Sequence, residues 1–347
     1  NIKCFKFNNW NLTPLLVLEN MMTNSLVEKD RSNFGKYDKI IDNEFENYFR
    51  NLIKPSGFEM VYMKRQRKNS TPINRIRIFL SRGYLEIFRD FKHNFGMILK
   101  RKYNPINPYR LGLILRNFIQ WKRKRNLFKE LRSEKDIINL NSDYIYFPLH
   151  FEPERTTNPD GGYFQDQFLT LQTLRKFIPD KVKIIVKEHP SQFLMSSRGS
   201  RGRSPLFYNL IKNIQNTSIV YDNYNSIDLI KNSKFVVSIS GTVLLEAAFL
   251  GIRGISFGST WYNGCPNITP FSEKLEYNEI INKEIQSPSS IIDFFKKQKE
   301  KYAFLGFQNQ SQRNNYVEYD NKDFLDFQFE SIYNIMVKLF KNDLYKK

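Results

Sequence analysis

The sequence is poor in the residues that build metal sites and covalent cross-links. Among 347 residues there are two cysteines, Cys4 and Cys265, far apart and without metal-ligand spacing, and three histidines. A disulfide framework and a His-rich metal centre are thereby excluded, and the cysteine usage suits a reducing compartment. There is no apolar run long enough to span a bilayer, no signal peptide with a cleavage site and no internal repeat. A cytoplasmic location follows as the expectation. The chain opens on Asn1, not Met, so an N-terminal region that is truncated or irregular is also expected.

Charge is what the chain has in excess. Lys plus Arg number 54 against 35 Asp plus Glu, a formal net charge of +19, enough to organise association with an anionic surface. Lys64 to Lys68, Lys100 to Lys102 and Lys122 to Arg125 are the densest patches. Nucleic acid, an acidic glycan and an anionic membrane all answer to such patches, as does an ordinary solvated surface.

The length predicts two domains. From Asp143 onward, short β-rich runs alternate with amphipathic helical ones, the signature of βαβ units around a parallel sheet. Strands are predicted at Tyr144 to Leu149, Lys183 to Lys187, Ser218 to Tyr221, Phe235 to Ile239 and Gly254 to Phe257. Helices are predicted on the face carrying Phe164, Phe168, Leu171, Leu174 and Ile178, and at Leu206 to Ile214, Ser226 to Lys231 and Thr242 to Leu250. Ser196 to Ser204 reads as a disordered loop. These elements make an α/β, Rossmann-like domain over 141–300. Residues 1–140 form a separate N-terminal domain, closed by a basic helix over Leu111 to Arg132. Residues 301–347 end in a helix over Phe324 to Leu339. Apolar runs at Ile76 to Leu80 and Tyr84 to Phe88 have a mixed period.

In an open α/β sheet, ligands bind beyond the carboxyl ends of the strands, and the unusual polar clusters fall there. Ser240, Gly241 and Thr242 join a strand to a helix. Gly241 lets backbone approach a ligand, the first helical turn directs N–H groups at an anion, and Glu246, one turn deeper, could accept hydrogen bonds from ribose hydroxyls. The same stretch reads equally as an ordinary turn with a solvated glutamate. Lys187 and His189, two residues apart at a strand end, can converge on phosphate oxygens, with Pro190 fixing the turn and Glu188 pointing the other way. A charged strand terminus is the plainer account. His150 closes the first strand, so two of the scarce histidines sit at consecutive strand ends.

The loop from Phe151 to Gln167 holds Glu154, Asp160 and Asp166, each a candidate base, nucleophile or sugar-binding acceptor. Asp166 also fits a helix N-terminal charge. Trp261 and Tyr262, after the last strand, suit stacking on a sugar or base and suit core packing equally.

Taken in order, Tyr146 to His150 with its Pro-Glu loop, Lys187-Glu188-His189-Pro190, Ser240-Gly241-Thr242 through Glu246 to Gly258, and Trp261-Tyr262 resemble the bacterial capsule polysaccharide biosynthesis glycosyltransferases, the group that includes β-Kdo transferases. The resemblance covers about residues 143 to 270. It implies a GT-B arrangement of two Rossmann-like domains facing a cleft. His189 and the Ser240 to Thr242 turn would contact the donor phosphate and Glu246 the ribose. It further implies a nucleotide-activated sugar as donor and co-substrate, CMP-Kdo in several relatives, whose single phosphate needs no metal bridge and no resident cofactor. The acceptor would be a surface polysaccharide or lipid-linked glycan. The basic patches then suit an anionic cytoplasmic leaflet, each residue near it contributing on the order of 1 kcal/mol, and peripheral attachment to the inner membrane is the expectation. A UDP-sugar epimerase shares the Ser-Gly-Thr-to-Glu turn and is the rival enzyme. A basic nucleic-acid-binding protein is the rival without catalysis, and no recognisable nucleic-acid module supports it.

Overall fold

The computed structural model describes residues 5–10, 15–20, 25–28, 38–52, 138–153, 157–194, 202–221, 224–306 and 322–344, with nine single positions between 68 and 126. Of the run expected at Ile76 to Leu80 only Arg77 is described, as helical; the run at Tyr84 to Phe88, the patch at Lys100 to Lys102, and Glu154 lie outside the described residues. Of the helix expected over Leu111 to Arg132, Ile119, Lys122, Arg123 and Asn126 are described, and all four are helical. The chain folds into two units, residues 59–239 and residues 1–58 with 240–347. The expected 141–300 body is therefore shared between them.

The unit of residues 59–239 is built on parallel strands. Tyr144–Pro148 (β4, counting from the three N-terminal strands given below) pairs with Lys183–Lys187 (β5), Tyr144 opposite Lys183 and Pro148 opposite Lys187. Thr217–Val220 (β6) lies beyond β5. Phe235–Ser238 (β7) lies on the other side of β4, pairing at Tyr146 and Val236. The order in this unit is β6-β5-β4-β7. The strands read as continuous apolar runs because most of their residues are buried, as both-face coverage by helices requires.

The helices start where the sequence offers caps. Gln167–Phe177 (α2) is capped by the Asp166 carboxylate, which accepts from the backbone N–H groups of Phe168 and Leu169. Pro205–Lys212 (α3) is capped by Ser204, with proline in its first turn, and Ser226–Lys231 (α4) by Asn225. Leu171 and Leu174 of α2 and Ile227, Leu229 and Ile230 of α4 are buried.

In the other unit, Phe5–Trp10 (β1), Leu15–Asn20 (β2) and Ser25–Leu26 (β3) join Ala303–Leu305 (β10) in an antiparallel sheet with β2 paired to all three others. Leu16, Leu18 and Phe304 pack with Ile335 of the terminal helix Lys322–Leu344 (α8). Asp38–Leu52 (α1) places Phe49 against Phe249 and Phe295. Those two phenylalanines sit on Val243–Phe249 (α5) and Pro288–Tyr302 (α7). Arg253–Ser256 (β8) and Ile268–Pro270 (β9) form a parallel pair, followed by Tyr277–Asn282 (α6), which starts on a Glu276/Glu279 capping box. The chain is thus mixed α/β with a parallel, Rossmann-like sheet. No helix among the described residues is long and apolar enough to cross a membrane.

Candidate functional site

β5 and β6 leave β4 on one side and β7 on the other, so the carboxyl ends of β4 and β7 bound the point where strand order reverses, the usual ligand crevice of such a sheet. His150 and Ser238 close those two strands. The His150 Nε2 atom lies 3.0 Å from the Ser238 hydroxyl, and both residues are buried. Burial, reinforced by the Arg203 charge, pulls the His150 pKa from 6.5 down to about 4, so the ring is neutral at pH 7.

His189 follows β5. Its Nδ1 accepts a hydrogen bond of 3.1 Å from the Ser191 backbone N–H. A backbone amide can only donate, so the ring proton of the neutral imidazole sits on Nε2. Burial, with smaller contributions from His150 and Arg203, lowers its pKa to about 4. The Phe151 ring meets it edge-on at 5.7 Å. The arrangement presents a neutral, oriented N–H donor.

The charged neighbours of His189 are engaged elsewhere. The Lys187 ammonium donates to the Tyr224 carbonyl at 2.6 Å and to the Ser226 hydroxyl at 2.7 Å, anchoring the segment that leads into α4. Glu188 is buried, as is Lys187. Its carboxylate accepts from its successor's backbone N–H at 2.6 Å, from the Tyr208 hydroxyl at 2.5 Å and from Arg203 Nε at 3.0 Å. Both side chains of that ion pair are 2% exposed. Pro190 is exposed at the turn.

Arg203 is the residue sequence reasoning missed. The Ser196 to Ser204 stretch was expected to be disordered, yet its described part, Gly202 to Ser204, is pinned. Arg203 Nη2 donates to the His150 carbonyl at 2.7 Å, the guanidinium lies 4.5 Å over the Phe207 ring, and Ser204 caps α3. A Cβ on Gly202 would stand 2.6 Å from the Glu152 carbonyl oxygen, so this approach needs glycine. Gln167 completes the web by accepting from the His150 N–H at 2.8 Å and donating to the Glu152 carboxylate at 2.7 Å. Gln192 trades two 2.9 Å bonds with the Glu152 backbone. The clustering of Gly-Arg-Ser before a proline-started helix is the one local signal that could have flagged Arg203.

Of the candidate acids, Asp166 serves as the α2 cap, the structural alternative its position allowed. Asp160 ends the short turn Thr157–Asp160 and is partly exposed.

The remaining candidates belong to the other unit. Ser240 to Thr242 lead into α5, and Thr242 stands at its N-cap position without a side-chain capping bond. The Gly241 carbonyl accepts from the Tyr262 hydroxyl at 2.7 Å. Tyr262 is 1% exposed, so it holds the turn from inside and cannot stack on a ligand. Trp261 is partly buried, edge-on to Tyr262 at 5.2 Å and 5.6 Å from Phe295. The aromatic pair therefore follows the core-packing alternative. Glu246 is buried, not solvated, and burial, with the Glu246 charge adding to it, raises the pKa of Tyr48 on α1. Glu19, a second buried carboxylate, accepts from the Ser259 hydroxyl at 3.1 Å. The described residues contain no cluster of three or more potential metal ligands.

Two solved structures of KpsC from Thermosulfurimonas dismutans are similar to this chain. The beta Kdo 2,7 transferase is 17% identical, with a TM-score of 0.32, over 57% of this chain and 55% of that one. The beta Kdo 2,4 transferase is 14% identical, with a TM-score of 0.32, over 52% of this chain and 55% of that one. UDP-GlcNAc 2-epimerase from Neisseria meningitidis, bound to UDP-GlcNAc, is 16% identical with a TM-score of 0.25, over 53% of this chain and 44% of that one. This chain thus spans about half the length of the solved structures it matches. No curated protein matches it. At these identities and scores the assignment rests on the family model alone, which matches residues 79–269 and so takes in His150, the Lys187 to Pro190 turn, Ser240 to Thr242 and Glu246. The chain belongs to the capsule polysaccharide biosynthesis protein family.

Proposed function

We propose that this chain acts in a glycosyltransferase that moves a sugar from a nucleotide-activated donor, CMP-Kdo in the leading form of the reading, onto a surface polysaccharide or lipid-linked glycan. The observation that carries it is His189, whose ring is neutral and held with its Nε2–H outward from the Ser191 contact, inside the segment matched by the capsule family. A neutral donor of that kind suits a phosphate monoanion such as the single phosphate of a CMP-sugar, because it orients the oxygen without needing a buried cation.

In this reading His189 donates to a donor phosphate oxygen; in the other unit, the backbone at Ser240 to Thr242 is a candidate anion contact and Glu246 a candidate acceptor for ribose hydroxyls. The bond from the anomeric carbon to the phosphate oxygen breaks, and the nucleotide leaves with the electron pair. An acceptor hydroxyl forms the new bond, and its proton passes to a carboxylate of the 152–166 loop, where Glu154 and Asp160 are the candidates once Asp166 is assigned to capping. A GT-B arrangement, a reaction without metal or resident cofactor, and attachment of the basic patches to an anionic cytoplasmic leaflet of the inner membrane belong to the same proposal.

Calorimetric titration of CMP, CDP and UDP into the purified chain tests it. Binding of CMP in the micromolar to millimolar range is expected. His189→Gln and Glu246→Gln should each weaken it about tenfold or more, the loss of one charge-assisted hydrogen bond, with the thermal midpoint nearly unchanged. Absence of binding by all three nucleotides would refute the proposal. Turnover of a UDP-sugar without acceptor would favour an epimerase instead.

A further inference from the structure

We propose that Arg203 is a positioning residue for His189, holding the strand-end backbone so that the imidazole keeps its Nδ1 turned to Ser191 and its Nε2–H available to a ligand. The functional value of that donor rests on the reading above, but the positioning itself does not. Arg203 touches neither histidine ring through a hydrogen bond. It acts through two other contacts. Its Nε pairs with Glu188 Oε2 at 3.0 Å, and Glu188 Oε1 in turn accepts from the His189 backbone N–H at 2.6 Å. Its Nη2 donates to the His150 carbonyl at 2.7 Å. One guanidinium thus ties the segment after β5 to the segment after β4.

The fork geometry is what makes this possible. A planar guanidinium presents donors in two directions at fixed angles, whereas an ammonium is a point donor on a flexible stem. The Phe207 ring 4.5 Å away and the close approach of Gly202 to Glu152 fix the base of the side chain, and 2% exposure keeps water from competing. The charged and titratable groups around His189 are His150 and Glu152 from the β4 side, Lys187 and Glu188 from β5, Arg203 itself, and Tyr208 from α3. Lys187 is tied to Tyr224 and Ser226, and Glu188 is matched by Arg203 and Tyr208. Removing Arg203 deletes a positive charge that disfavours protonation of the ring and leaves a buried carboxylate next to it. Both changes favour the imidazolium.

The test is nitrogen-15 NMR of the imidazole side chains in the full chain, which has three histidines, His93, His150 and His189. Wild type should show His189 as the Nε2–H tautomer, remaining neutral at pH 6. In Arg203→Gln its titration midpoint should rise by about one pH unit or more, and the tautomer signature should become mixed. Should that variant fail to fold, Arg203→Lys, which keeps the charge and loses the fork, should leave the midpoint low and still mix the tautomers. An unchanged tautomer and midpoint in whichever variant folds overturns the proposal. A shifted signature in a chain that binds no nucleotide leaves Arg203 as the positioning residue and removes the glycosyltransferase reading alone.

Discussion

Lowering the pH from 7 to 5 should destabilise this protein through His150 and His189. Both rings have pKa values pulled from 6.5 to about 4 by burial, with the Arg203 charge contributing. The unfolded chain therefore binds more protons than the folded one between pH 6.5 and 4, and stability falls as pH drops through that window. At about 1.4 kcal/mol per unit, each ring costs about 3 kcal/mol once the shift is fully expressed below pH 4. Roughly 2 kcal/mol of that appears already at pH 5. The two rings act in the same direction and face the same guanidinium, so together they approach about 4 kcal/mol, a large share of a typical folding free energy. Urea denaturation followed by tryptophan fluorescence at pH 7, 6 and 5 measures it. His189→Gln keeps a polar group of similar length without the titration, and should remove about half of the dependence. A midpoint that is the same at pH 7 and pH 5 would show that neither ring is held neutral by its surroundings, and the description of His189 as a neutral donor would fall with it.

Tyr262→Phe should cost about 1–2 kcal/mol, because the Gly241 carbonyl loses its 2.7 Å donor inside the fold. CMP affinity should fall as well if that turn meets the donor, and calorimetry on the folded variant separates the two effects. Gly202→Ala forces a Cβ to within 2.6 Å of the Glu152 carbonyl oxygen, so displacement of the Arg203 segment is expected, visible as a lower denaturation midpoint and an altered His150 imidazole signal. Nucleotide affinity should change less than about threefold between 50 and 500 mM salt, since screening weakens exposed charge pairs but leaves a neutral donor almost untouched. A steep salt slope would point to the surface lysines and arginines as the binding groups.

Much of the parallel unit was legible from its sequence, for identifiable reasons. Lys183–Lys187 and Ser226–Lys231 fall where the apolar runs and caps place them, the strands at Tyr144–Pro148 and Phe235–Ser238 end one residue earlier than expected, and Thr217–Val220 is shifted by one residue at both ends, where pairing frays. Caps such as Ser204 and Asp166 act on amides two or three residues ahead, so local sequence contains the whole interaction. The polar web does not share that property. Lys187 is held by the Tyr224 carbonyl, which every residue type offers, so no side-chain pattern announces it. Arg203 and Glu188 are 15 residues apart, across a stretch whose serine, glycine and arginine content has the composition of a solvated loop. Glu19 and Ser259 are 240 residues apart. The Trp261-Tyr262 pair left stacking and core packing equally open because an aromatic after a strand is the same signal whether the chain then turns inward or outward.

The charge of the chain gives a false impression of how the proposed strand-end site would work. A net +19 invites the picture of lysines and arginines gathered around a phosphate. Two cations beside His189 among the described residues are instead consumed by the fold, Lys187 on a carbonyl and a hydroxyl and Arg203 on a carboxylate and a carbonyl. A free cation there would raise affinity for every anion alike, including the inorganic phosphate and nucleotides that compete with a sugar donor. Tying those charges down and leaving an oriented neutral N–H shifts discrimination from charge to geometry, since a neutral donor rewards only an oxygen that arrives along its axis. In the proposed reaction it would also limit product inhibition. A nucleotide monophosphate released with a second negative charge would be retained by a cation but gains little from a neutral imidazole. The surplus of basic residues is then free to act elsewhere on the surface, and the low pKa of the two histidines is the condition under which that separation holds at neutral pH.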